Sequence, residues 1–351
     1  MSDPGPHRAD HADPKPAGLR AKASREQIAF WLPIAIFALL VLIAPDILLL
    51  VFAGLLVAVF LRMGGNAIAR RLHIREGWGL ALYSIILVCL AVLFFLYAAQ
   101  GLSDQLDQLT TALPKAMKQV QDFIDSHGWL HSITRSIDLG SIAPSSKGAA
   151  TTVMMSIGVI GNAMLILFIG VYGAVEPQLY RRGIAALFPS SKRDWVVASF
   201  ATGWAALSGW LFAQLISMTV IGLLTFVGLW LLNVPLAAIL AILAGLLTFI
   251  PNIGPVLSAI PALAMGLTVS PITMLWVVVL YLAVQALESN LITPQIQEKA
   301  MSLPPALIIA FQLLMGSFFG LLGLALATPL LAVLMMMTRR HYLPLVRPET
   351  A

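Results

Sequence analysis

From Trp195 to Gln297 the chain carries a single formally charged residue, Glu288. A soluble domain averages about one charged residue in four, so a run of this kind has no aqueous surface to build. The whole 351-residue chain is 59% hydrophobic and 11% charged. Several runs reach the roughly 18 apolar residues that nominate a membrane-crossing helix, the clearest being Trp78–Ala99, Thr152–Val175, Ala205–Leu232 and Ile272–Leu287. Inside lipid every backbone polar group needs an internal partner. The expected fold class is therefore an all-α polytopic membrane protein in contact with the lipid bilayer.

The remaining charge orients the chain. The N-terminal tail carries Arg8, Lys15, Arg20, Lys22 and Arg25, and the turn Pro45-Asp46 carries no basic residue. The next loop has Arg62, Arg70, Arg71 and Arg75, and the loop after the fourth span has Arg181, Arg182, Lys192 and Arg193. The turn Asn233-Val234-Pro235 again has none, and the C-terminal tail has Arg339, Arg340 and Arg347. Basic clusters alternating with uncharged turns put both termini on the cytoplasmic side. The net charge of +5 follows from these loops and is no nucleic-acid signal. Met1–Gln27 reads as a disordered tail, and Ile28–Ala44 as a first, retained span. Residues 100–150 form a polar external segment in which Leu102, Leu106, Leu109, Leu113, Ala116, Val120 and Phe123 make a short heptad-like seam, interrupted by Pro114. That seam suits two helices or a kinked one, either as a cap on the membrane surface or as a contact between subunits of a homo-oligomer.

Two apolar runs have the wrong length. Pro235–Leu267 would make about 50 Å of helix against a hydrocarbon core of about 30 Å, and Pro251, Pro255, Pro261 and Gly254 interrupt it. Leu303–Met337 is similar, with Gly316, Gly320 and Gly323 as its interruptions. Each is too long for one span and too short for two. Paired half-helices meeting at a break fit both, as re-entrant hairpins or discontinuous helices. The order "span, then broken run" occurs twice, from Ala205 and from Ile272. If the first hairpin enters from outside, the second enters from inside, which is an inverted repeat. The expected total is about six to eight transmembrane helices, including the two broken hairpins.

Few side chains in this half could do chemistry. Glu288 is an intramembrane carboxylate and a functional candidate by default, or a hydrated group at the cytoplasmic mouth. Gln285 and Tyr281 precede it on one helical face, and Asn290 and Thr293 follow. Gln214 and Ser217, Asn252 and Ser258, and Gln312 and Ser317 are expected to be the other buried polar side chains, gathered around the two breaks. Helix breaks free backbone N–H and C=O groups, and inside a bilayer these must meet protein, water or a substrate. The broken stretches are expected to line a path through the membrane.

Enzyme readings weaken on the same residues. His7, His11, His73, His127, His131 and His341 all lie outside the spans, so no intramembrane Ser/His pair is available. Glu288 has no carboxylate partner, Cys89 is the only cysteine, and no phosphate-binding Gly-x4-Gly-Lys loop exists. Neither a metal nor a cofactor is expected. What remains is transport of a small-molecule substrate, or a scaffold assembled through residues 100–150.

The ordered motifs Leu229-Trp-Leu-Leu-Asn-Val-Pro235, Phe249-Ile-Pro-Asn-Ile-Gly-Pro255, Ala259-Ile-Pro261, Glu288-Ser-Asn-Leu-Ile-Thr-Pro294, Gly320-Leu-Leu-Gly323 and Ala327-Thr-Pro329 resemble the autoinducer-2 exporter (AI-2E) family of membrane proteins. The resemblance covers about Gly209 to Leu334. It departs at Ser289, where the family commonly has Asn, and at Glu176, where Asp is commoner. It implies about eight hydrophobic segments and export of small solutes, including the quorum signal autoinducer-2, or sodium/proton antiport in some members. The organisation expected from hydropathy and charge, with which the resemblance agrees in layout, is a tail at 1–27, transmembrane helices 1–3 in 28–99, the external segment 100–150 and helix 4 in 151–175. A basic loop at 176–204, a transport core at 205–338 and a cytoplasmic tail at 339–351 complete it. The substrate path expected from the polar residues themselves runs along Glu288, Asn290, Gln285, Gln214, Asn252, Gln312 and Thr293.

Overall fold

The computed structural model describes residues 17–93, 149–292 and 304–342, with residues 96 and 108. The external segment expected over 100–150 lies almost wholly outside them, as does Thr293. Every regular element among the described residues is helical. In order these are α1 (Ala17–Ile43), α2 (Pro45–Leu72), α3 (Glu76–Leu93), α4 (Ala149–Val175), α5 (Pro177–Ala186), α6 (Arg193–Leu231), α7 (Ala237–Leu247), α8 (Ile253–Val269), α9 (Pro271–Leu287) and α10 (Pro305–Met337). Among the described residues six stretches are long and apolar enough to cross a membrane: Pro45–Leu72, Glu76–Leu93, Gly158–Val175, Ser190–Leu231, Pro271–Asn290 and Pro305–Arg340.

Several boundaries differ from the sequence expectation, each for a helical reason. α1 begins at Ala17, so residues 17–27 of the expected disordered tail are helical. Arg62, Arg70 and Arg71 lie on α2 itself, leaving His73–Arg75 as the link to α3. The loop expected at 176–204 is mostly helix, holding α5 and the first turns of α6. Arginine has good helix propensity, and basic residues in a last turn suit the helix dipole, so charge marks the membrane boundary here without ending the helix. α6 has 39 residues and is about 58 Å long at 1.5 Å per residue, nearly twice the hydrocarbon thickness.

Two helices organise the bundle. α2 packs against α4 at small residues: a Cβ on Gly54 would strike Ile169, and one on Gly170 would strike Val57. Membrane helices commonly approach through such small side chains. α6 plays the same part for the second half, where Gly222 faces Gly245 of α7. Leu49, Ala53, Leu56 and Val59 of α2 join Ala206, Leu207, Trp210 and Leu211 of α6 and Met315, Leu326, Ala327 and Ala332 of α10 in one buried cluster. α3 and the hydrophobic part of α4 instead leave most of their apolar surface exposed, with 11% of each window buried against 39% for α2. Those outer faces suit lipid.

α7 and α8 form a helix–turn–helix over residues 248–252. Helix resumes at Ile253, so the break is shorter than Pro251–Pro255, and Gly254 and Pro255 sit in the first turn of α8. Gly254 is required by closeness, because a Cβ there would collide with the Leu247 carbonyl. At the tip Ile253 N donates to Pro251 O at 2.8 Å, and Asn252 has φ 67° and ψ −45°. This is the rare γ-turn with positive φ, a strained conformation.

α10 also turns back on itself. Gly320 alone leaves the helical region, with φ 58° and ψ −142°, which glycine alone adopts readily. Gln312 Nε2 lies 3.3 Å from Thr328 Oγ1, although sixteen residues of straight helix would span about 24 Å. Gly323 packs on the Met315 carbonyl and Gly316 on Leu324, so both glycines belong to the arms (305–319 and 321–337) rather than to the break. The 36 residues from Pro305 to Arg340 are therefore long enough to cross but folded double.

The strain at the tip gives a first prediction. Asn252→Val should destabilise the detergent-solubilised protein by about 1–3 kcal/mol, read as a lower thermal unfolding midpoint. Asn252→Gly should leave that midpoint unchanged or raise it.

Candidate functional site

The C-terminal carbonyls of a helix have no partner within the helix, and α7 ends in the middle of an apolar sequence. Two glutamine amides from neighbouring elements meet this need. Gln214 of α6, buried at 3% exposure, donates from Nε2 to the carbonyl of Thr248 at 2.5 Å. Gln312 of α10, fully buried, donates from Nε2 to the Pro251 carbonyl at 3.0 Å and also to Thr328 Oγ1. Thr248 turns its own hydroxyl back to Ala244 O at 2.7 Å. The turn after α7 is thus held from two sides, and the second broken segment is bonded directly to the first.

Aromatic packing closes the same seam. Trp210, one helical turn before Gln214 on α6, meets Phe249 edge to face at 5.6 Å. Its indole Nε1 is buried without a hydrogen-bond partner, and so is Oε1 of Gln312. One is a donor and the other an acceptor, both lie beside the turn of residues 248–252, and neither carries formal charge. Buried polar atoms left unmet are uncommon because each costs about 1–3 kcal/mol. Side chains of the cluster that contains Trp210, with Phe249, Phe311 and Phe319 packed on it, make the surroundings apolar.

The carboxylate lies in a separate group. Glu288 ends α9 and opens a π-helical turn over Glu288–Ile292. Gln285 Nε2 donates to Glu288 Oε2 at 3.0 Å, and Asn290 Nδ2 donates to Ala286 O at 2.8 Å, so both amides bond within their own helix. Tyr281 reaches across, its hydroxyl donating to Ser258 O of α8 at 3.1 Å. Among the described residues no hydrogen bond joins Glu288 to Gln214, Asn252 or Gln312. Asn252 is exposed at the tip, and Ser317 is exposed and bonded to Leu314 O. Of the polar residues expected along the path, the fold brings Gln214 and Gln312 to one place and keeps Gln285, Glu288 and Asn290 at another.

A family profile described as "AI-2E family transporter" matches residues 30–341. The chain belongs to the AI-2E family. It is 26% identical to "Putative transport protein YueF" of Bacillus subtilis over 339 residues, covering 88% of this chain and 92% of that protein. A Thermotoga maritima protein bearing the same general name is 26% identical over 241 residues, 67% of this chain and 70% of its own. YrrI of Bacillus subtilis, similarly named, is 29% identical over 175 residues, half of each chain. An AI-2E family member with this many apolar helices is a multi-pass membrane transporter.

Trp210 and Thr248 were not singled out by the sequence, and Thr328 was quoted only within the motif Ala327-Thr-Pro329, with no polar role. Thr248 lies three residues before Pro251 and Thr328 directly before Pro329, and a hydroxyl beside a proline break is the signal that could have found them. If Gln312 joins the two broken segments, Gln312→Leu should lower stability by about 1–3 kcal/mol, since the Pro251 carbonyl loses its donor. Thermal unfolding of the purified variant measures this, and Arg71→Gln, exposed on α2 and outside the seam, supplies the comparison.

Proposed function

We propose that the protein is a secondary transporter of the bacterial inner membrane that exports a small, polar, mostly uncharged solute, with both termini in the cytoplasm. A quorum-sensing signal such as autoinducer-2 belongs to that chemical class. The observation that carries this reading is the uncharged seam at the 248–252 turn. Its amides, Thr hydroxyls, one unmet indole donor and one unmet carboxamide acceptor suit hydrogen-bonded recognition of hydroxyl or carbonyl groups. An ionic solute would find no counter-charge there.

In the same reading the two folded segments are re-entrant hairpins that enter from opposite membrane faces, as the tips of an inverted repeat. The half containing α6–α10 slides against α2 and α4, carrying the seam between the two sides. Trp210→Phe removes the indole N–H and keeps an aromatic ring beside Phe249, although the smaller ring leaves a void at this buried site. It is expected to reduce efflux of the transported solute from proteoliposomes about tenfold per reconstituted protein, as loss of one buried hydrogen bond would, and to lower the thermal unfolding midpoint through the void. Gly320→Leu should abolish efflux while the protein still inserts. If a solute panel of hydroxylated and carbonyl-bearing compounds leaves at the same rate from protein-free vesicles, the export reading fails.

Glu288 supports a second reading, sodium/proton antiport. A half-buried carboxylate with one amide donor at 3.0 Å can alternate between a cation and a proton. Sodium-driven proton flux that disappears in Glu288→Gln is the outcome this reading requires. Flux indifferent to sodium removes it.

A further inference from the structure

At the end of the protein that carries the basic residues, α2, α3 and α6 enclose a cleft of about 650 Å³ that the transport seam does not use. Its polar lining is Arg62, Asn66, Arg70, His73, Glu76 and Ser208, with Trp204 as a wall. The cleft is built by close helix packing. A Cβ on Gly65 would press on Leu80, and one on Gly79 on the Gly65 carbonyl at 2.5 Å, so α2 and α3 cross with almost no separation. His73 caps α2 in the left-handed conformation, φ 54°, which turns the chain sharply enough to bring Glu76 back over Arg62. Those two form an ion pair at 3.4 Å, in which the Arg62 side chain is 14% exposed and that of Glu76 69%.

The balance of donors and acceptors in this cleft is uneven. Arg62 has five N–H donors in a fixed fork and one carboxylate partner that is mostly in solvent. Arg70 adds a second guanidinium, anchored through Nε to Asn66 O at 3.3 Å. Among the described residues lining the cleft, one carboxylate stands against these two cations. Asn66 Oδ1 is buried without a partner, and a carboxamide can turn to present its NH2 group in the same position. Ser208 adds a hydroxyl that can donate. The Arg62 side chain is largely buried and, among the described residues, its ion-pair partner is Glu76 alone, so its fork can take an anion in the cleft, and guanidinium forks match the oxygens of phosphate. We propose that the cleft is a binding site for a phosphate oxyanion.

Depth is consistent with that ligand. From Pro45 to Arg62 the helix rises about 26 Å, close to the roughly 30 Å of a hydrocarbon core. Arg62 therefore stands where the headgroup layer begins, and Arg70 stands farther out. The phosphate can come from an anionic lipid of the adjacent leaflet or from a small soluble phosphate ester. This inference uses no residue of the proposed export seam, so it stands or falls separately from that reading.

The test uses the full-length protein in detergent. Native mass spectrometry records retention of phosphatidylglycerol against phosphatidylcholine, and calorimetry records binding of glycerol 3-phosphate. Preferential retention of phosphatidylglycerol, weakened about tenfold in Arg62→Gln and in Arg70→Gln, assigns the site to a lipid headgroup. Glycerol 3-phosphate binding weakened by the same substitutions assigns it to a soluble ester. Arg70 is exposed, so its variant folds even if Arg62→Gln does not. Arg71→Gln, an exposed basic neighbour outside the cleft, should leave either binding unchanged. The proposal is overturned if neither probe binds, if Arg70→Gln binds as the unsubstituted protein does, or if Arg71→Gln loses as much.

Discussion

A helix that stops within an apolar sequence leaves carbonyl groups that apolar surroundings cannot satisfy, and the second half of this protein depends on how that demand is met. α7 ends at Leu247, within an uncharged and largely apolar run. Gln214 answers from α6 and Gln312 from α10, each donating to a carbonyl of the turn. Both are long, uncharged and able to donate and accept at once. A lysine in either place would bring a charge costing several kcal/mol to desolvate, and a leucine would leave the carbonyl bare. The same two bonds fix α7 and α8 to α6 and tie both of them to α10. Satisfying the backbone therefore assembles the seam.

The turn geometry follows from that assembly. Gly254 lets α8 start against the Leu247 carbonyl, Asn252 accepts a positive φ, and Gly320 takes a conformation denied to other residues. Such positions persist only where the surroundings over-determine them, and they gather at functional elements. The outer helices face a looser requirement. α3 and α4 need apolar surface and adequate length, and nothing in their sequence has to meet a particular partner except at the glycine contacts with α2.

Much of this was legible in the sequence because proline, glycine and charge are strong local signals. Pro251 and Gly320 marked the two breaks, and the overlong runs around them implied folding back. Gln214 and Gln312 stood out as amides in apolar surroundings. What could not be read was pairing. Whether Gln312 meets Pro251 or the turn at Glu288 depends on how α10 packs on α6, which no local spacing encodes. Helix ends were misplaced for a similar reason. Arg62, Arg70, Arg71 and Arg193 announce the membrane boundary, but a helix continues past it whenever its residues favour helix, as α2 and α6 do. Pro255 and Gly316 were read as parts of the breaks, although a proline is accommodated in the first turn of a helix and a glycine in a close-packed arm.

The central claim is that the two folded segments enter the membrane from opposite sides and meet at Gln312. Single-cysteine labelling with a membrane-impermeant reagent tests it most directly, in a Cys89→Ala background that removes the one native thiol. Thr268→Cys and Ser270→Cys, at the far end of α8, should react from outside alone. Ser302→Cys, just before α10, should react from the cytoplasm alone. Labelling of Thr268→Cys from the cytoplasm would make α7 and α8 a continuous crossing and would contradict the opposed arrangement.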